Sequence, residues 1–146
     1  DPTGYVAVVG VSHYQPALEQ IVARCAWQKE RKPRFPVALV PEPTNPHDRR
    51  AIAVRTEVGC VGYLSRENAR RYRPFFKALL KGGYDGASVA ATVGRRSYKL
   101  PLGVLLRMPY PEELNPEPFI LYDEGNQDTH GITRTEAAPR RHLRGV

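Results

Sequence analysis

The sequence predicts a mainly β domain with short helices, a small curled barrel of OB-like or SH3-like form. Three observations carry that expectation. Short segments rich in β-branched residues recur between Gly- and Pro-containing turns. They come in the order strand, helix, strands, helix, strands, and two pairs are close enough in sequence to be hairpins. At 146 residues, the chain is also long enough to bury one core.

The elements follow in order. Tyr5-Val-Ala-Val-Val-Gly-Val11 reads as a first, buried strand. From Pro16 to Cys25, the apolar residues Ala17, Leu18, Ile21, Val22 and Cys25 recur at helical spacing, with Pro16 in the first turn. The charged run Gln28 to Arg34 reads as a solvated loop. Phe35 to Val40 is the second strand, closed by the loop from Pro41 to Pro46. Arg50 to Thr56 is the third and Gly59 to Leu64 the fourth, joined by a turn around Glu57 to Gly59. Strand alternation puts Val61 and Tyr63 on one face. Ser65 is the expected N-cap of a helix over Arg66 to Arg73. Pro74 is expected to split the pattern, leaving a second piece from Pro74 to Lys81 that ends at Gly82-Gly83. Ala87 to Arg96 and Leu102 to Met108 make a final hairpin. The expected domain covers residues 1–108. Residues 109–146 read as an extended arm or linker, with Phe119-Ile-Leu-Tyr122 docking on the body.

The formal net charge is +7. Residues 1–106 hold 17 Lys/Arg against 8 Asp/Glu, a balance of +9, while residues 107–146 hold 5 against 7. The positive charge therefore belongs to the folded part and suits a polyanionic partner. No apolar run approaches the roughly 18 residues of a membrane helix, and no signal peptide is visible. Two cysteines, Cys25 and Cys60, are too few for a disulfide framework. A reducing cytoplasm is the expected compartment, beside the nucleoid if the source is bacterial.

The stretch Glu42-Pro-Thr-Asn-Pro-His-Asp-Arg-Arg-Ala-Ile-Ala-Val54 is the least ordinary part of the chain. A hairpin would use Asn-Gly or Asp-Gly here. Instead two prolines fix φ on either side of Asn45, and Asp48 stands beside Arg49 and Arg50. With Val9-Gly-Val-Ser-His-Tyr14 before it, Val61-Gly-Tyr-Leu64 after it, and Ser97-Tyr-Lys-Leu-Pro-Leu102 last, the chain resembles a HIRAN domain over roughly residues 5–108.

The resemblance implies an OB-like barrel that binds single-stranded DNA and, in some members, captures a free 3′ end. By position, Asp48 would accept a hydrogen bond from the terminal 3′-hydroxyl, and Asn45 would hold the loop and contact the terminal nucleotide. His47 stands where eukaryotic relatives commonly carry a stacking Tyr. His13 replaces another such Tyr, Ser12 an Arg, and Tyr63 a His. Tyr98 takes the place of a base-contacting aromatic. The loop pattern is retained while the stacking residues have changed.

The residues allow their own reading. Phosphates repel a carboxylate, so Asp48 beside a strand's end would favour a terminal hydroxyl and penalise a continuing chain; its alternative role is to cap its own turn. His13, Tyr14, His47, Tyr63 and Tyr98 are candidate stacking faces, with packing or plain exposure as the alternative for each. Arg49, Arg50, Arg70, Arg71, Arg73 and Lys77 form one cationic set, and Arg95, Arg96 and Lys99 a second. Cys25 and Cys60 read as small buried hydrophobes. The His and Cys spacings fit no zinc site, and the acids are too scattered for a metal-dependent nuclease.

The expected function is a non-catalytic single-stranded DNA-binding module, without cofactor, metal or small-molecule substrate. It would recognise 3′ ends in repair or replication-fork processing, alone or within a larger helicase or nuclease chain or complex. The alternative is a protein-interaction module whose basic face binds an acidic partner, which exposed Trp27 and Phe35 would favour.

Overall fold

The computed structural model describes residues 3–25, 34–95, 97–109 and 141–144. Strand β1 (Thr3–Val9) leads through a single 3-10 turn (Val11–His13) into helix α1 (Gln15–Arg24). Strands β2 (Arg34–Pro41), β3 (Ile52–Thr56) and β4 (Gly59–Leu64) precede helix α2 (Arg66–Lys81). Then come β5 (Tyr84–Gly94), β6 (Gly103–Pro109) and β7 (Arg141–Arg144). The sheet order is β2-β3-β4-β1-β6-β5, and antiparallel pairing of β5 with β2 closes it into a six-stranded barrel. The expected OB-like barrel is what forms. β7 lies parallel to the first half of β5, where β6 no longer pairs. Phe119 to Tyr122 lie outside the described residues.

The first strand stops at Val9, two residues short of the expected Val11. Gly10 takes φ 77°, which turns the chain into the 3-10 helix. Alternation then sorts the strands: Val6 and Val8, Val37 and Leu39, Val89, Ala91 and Val93, and Val104 and Leu106 fill the interior. Leu18 and Ile21 of α1 join the same core, as their spacing predicts.

Helix α2 corrects the expectation of a break. It runs unbroken from Arg66 to Lys81 with Pro74 inside it. An interior proline removes one helical hydrogen bond and costs about 3 kcal/mol. Burial of Tyr72, Phe75, Phe76 and Leu79 on one face of the helix opposes that cost. At about 1.5–3 kcal/mol per large apolar side chain, burial wins. Ser65 caps the start as expected, its Oγ accepting from the Asn68 amide at 3.1 Å.

The second correction concerns Val61 and Tyr63. Val54 pairs with Gly62 but the next residue, Arg55, pairs with Cys60, so Val61 is the extra residue of a β-bulge. The bulge breaks the alternation: Val61 and Leu64 both point into the core, and Tyr63 turns to the outer face. Gly62 enables it, with φ 150° and no room for a side chain. A Cβ there would collide with Val8 Cγ1 and lie 2.6 Å from the Val9 carbonyl oxygen. Gly62→Ala should therefore destabilise the barrel by about 1–3 kcal/mol, readable as a lower urea midpoint.

Candidate functional site

The Pro-flanked loop is built by its own polar side chains. Asn45 Oδ1 accepts from the amides of His47 at 2.8 Å and Asp48 at 3.1 Å. Asn45 Nδ2 donates to Glu42 Oε1 at 3.0 Å. Backbone bonds from Glu42 to Ala51 and from Ala51 to Asp48 shut the base of the loop. The Asn side chain thus does the work that Gly-containing turns do through positive φ; the loop contains no residue of that kind.

Asp48 divides its carboxylate. Oδ1 accepts from the Arg50 amide at 2.9 Å, which is the turn-capping role. Oδ2 lies 3.9 Å from Arg66 Nε, across to the first turn of α2. Only the first oxygen is committed to the loop. The second has one long ionic contact, and Asp48 is partly exposed, so it retains capacity to accept another hydrogen bond.

Behind the loop, Glu42 joins it to the barrel wall. Its second oxygen pairs with Arg55 at 3.6 Å, and it accepts a hydrogen bond from Tyr63. Tyr63 also meets Tyr14, which touches Cys60. The Cys60 thiol donates to the Gly62 carbonyl at 3.4 Å. Burial holds the Tyr63 phenol well above its ordinary range, reinforced by the bond to Glu42. Tyr14 is pushed up first by burial and next by Cys60. Raised folded-state values mean that this stabilisation is complete below the ordinary phenol value of 10.0 and is lost as pH rises beyond it. Tyr63→Phe should accordingly flatten the fall in urea midpoint above about pH 10.

On the other side of Asp48, Arg66, Arg70 and Arg73 repeat at helical spacing along one face of α2. With Arg50, Asp48 and the small Ala69, they line an open pocket of about 320 Å³. Arg71 is not among its lining residues and reaches Asn68 at 3.5 Å instead. Arg49 is exposed on the loop, and so is Lys77 on α2.

A third group sits at the β5–β6 turn. Gln15, in the first turn of α1, donates to the Leu102 carbonyl and accepts from the Leu102 amide, tying this turn to the residues after the 3-10 helix. Tyr98 is 84% exposed, with Lys99 Nζ 5.8 Å from its ring centre. Arg95 is engaged with Glu19 at 2.8 Å. Arg96 and Trp27 lie outside the described residues. Phe35 is buried.

Ser12 and His13 are exposed in the 3-10 turn, one residue before Tyr14. Contacts therefore run continuously from that turn through Tyr14, Tyr63, Glu42 and Asn45 to Asp48 and Arg66. Two members of this run, Glu42 and Arg66, and the separate tie at Gln15 are not residues that the sequence singles out. Glu42 reads as one more scattered acid, although it opens the loop that Asp48 ends. Arg66 reads only as a helix start, yet its four-residue spacing to Arg70 is visible. Gln15 carries no local signal. Among the described residues, no cluster of three His, Cys, Asp or Glu forms a metal site, and no helix is long and apolar enough to cross a membrane.

The family model of the HIRAN domain matches residues 3–93, from β1 nearly to the end of β5. The crystal structure of the HIRAN domain of human HLTF is similar at 22% identity, over 75% of this chain and 78% of that one, with a TM-score of 0.39. No curated protein matches the chain.

Proposed function

This chain belongs to the HIRAN domain family, whose members bind DNA, and on that premise we propose a non-catalytic module that reads the free 3′ end of single-stranded DNA. The observation that carries the reading is the divided carboxylate of Asp48. One oxygen is spent on the turn and fixes the side chain's direction; the other is available to a donor. A terminal 3′-hydroxyl is such a donor, and a phosphate in its place would meet a like charge.

The strand leads away from Asp48 past His47 and the 3-10 turn toward Tyr98. His13, His47 and Tyr98 offer exposed faces to bases, and Arg49, Arg50 and Lys99 offer charge to the backbone. Ser12, exposed in the 3-10 turn, would donate to a phosphate. Tyr14 and Tyr63 act from beneath: they hold Glu42, which holds Asn45, which holds Asp48. The module would direct a helicase or nuclease, in its own chain or a complex, to frayed ends during repair or replication-fork processing.

The test is fluorescence anisotropy on one short strand ending in a 3′-hydroxyl, in a 3′-phosphate, or in a blunt duplex. A hydrogen bond to a charged acceptor is worth about 1.5–3 kcal/mol, so the free hydroxyl should bind about tenfold tighter or more. Asp48→Ala should erase the preference. Equal affinity for all three ends would reduce Asp48 to a turn residue and leave a general electrostatic binder.

A further inference from the structure

We infer that the arginine pocket between the loop and α2 holds a 5′-terminal phosphate, so that the module grips the two facing ends of a broken DNA strand. The inference rests on the reading of Asp48 as the acceptor of the 3′-hydroxyl. Asp48 sits on the rim of this pocket, between the loop and the guanidinium groups. A strand that ends at Asp48 contributes no phosphate beyond its own terminus, yet the cationic lining continues past that point. The group that fits there is anionic and not covalently joined to the first strand.

The charge count favours a terminal phosphate over one within a strand. Arg50, Arg66, Arg70 and Arg73 face a single carboxylate, Asp48, among the lining residues. A phosphate within a strand brings one negative charge, whereas a terminal monoester carries about −1.5 to −2 at neutral pH. It also exposes three oxygens, enough for several guanidinium forks at once.

The helix bears a cost for this arrangement without a ligand. Like charges four residues apart, such as Arg66 and Arg70, oppose helix formation. Arg50, Arg70 and Arg73 make no ion pair with any described residue. Ala69 between them is 5% exposed and lines the pocket with no more than a methyl group, which leaves the space above it open.

The experiment compares gapped duplexes that differ only in the phosphorylation of the 5′ end facing the 3′-hydroxyl. The 5′-phosphate form should bind about tenfold tighter than the 5′-hydroxyl form, the effect of one added set of charge-assisted hydrogen bonds. In the double variant Arg70→Gln/Arg73→Gln that ratio should collapse toward one. A matching thermal midpoint would show that the variant is folded. A third substrate carries the 5′-phosphate opposite a 3′-deoxy end. If its phosphate preference persists while the 3′-hydroxyl has no effect in any substrate, the end reading at Asp48 fails and the pocket stands. Equal binding of the phosphorylated and unphosphorylated forms, or a preference that survives the double variant, would overturn the inference.

Discussion

Phe76→Ala is expected to lower the unfolding free energy by about 3–5 kcal/mol, the range for removing a buried aromatic ring. Phe76 is 3% exposed and meets Phe75 edge to face at 5.5 Å, with Tyr72 and Leu79 on the same helical face. Helix α2 pays for an internal proline with this burial, so it has little stability of its own to spare. Truncation would loosen the helix that carries Arg66, Arg70 and Arg73, and DNA binding should weaken along with folding. Urea titration would show a lower midpoint at an unchanged slope, whereas Lys77→Ala on the exposed face should shift it by no more than about 0.5 kcal/mol. A Phe76→Ala protein as stable as the wild type would mean that the apolar face of α2 does not hold the helix to the barrel.

The second large effect is salt. If Arg49, Arg50 and Lys99 neutralise about three phosphates of a single strand, log affinity should fall with log salt at a slope near −2.1. Raising salt from about 50 to 200 mM would then weaken binding about 20-fold. Arg49→Gln/Lys99→Gln should make the slope shallower by about 1.4 at every strand sequence, because phosphate contacts carry no sequence information. An affinity that does not change with salt would remove phosphate contact from the account and favour stacking alone.

The barrel was legible because each strand has its own apolar period and its own turn signals, from Tyr5–Val9 to Val104–Met108. The misreadings share a physical origin. Pro74 and Val61 follow local rules when viewed along the chain, and tertiary packing overrides both. The helix tolerates Pro74 because four large side chains are buried around it. Val61 leaves the alternation because the close approach of β1 at Gly62 admits no Cβ.

The candidate site divides the same way. Asn45, Asp48 and the arginines stood out by residue type and spacing. What escaped was the support. Glu42 gains its role only when Asn45, Arg55 and Tyr63 converge on it, and those partners are up to 21 positions away. Gln15 reaches Leu102 from 87 positions away. Pairings of that kind are set by the closed sheet, and no local pattern announces them.

The proposed recognition of a 3′-hydroxyl by Asp48 is tested by a double cycle crossing Asp48→Asn with removal of the terminal hydroxyl, using anisotropy on a 3′-hydroxyl and a 3′-deoxy strand of the same sequence. Asn retains the shape and an acceptor oxygen while losing the charge. A coupling energy of about 1 kcal/mol or more is expected, because each change removes the same charged hydrogen bond. Strictly additive effects would contradict it: the carboxylate and the hydroxyl would then act separately, and Asp48 would do no more than close its own turn.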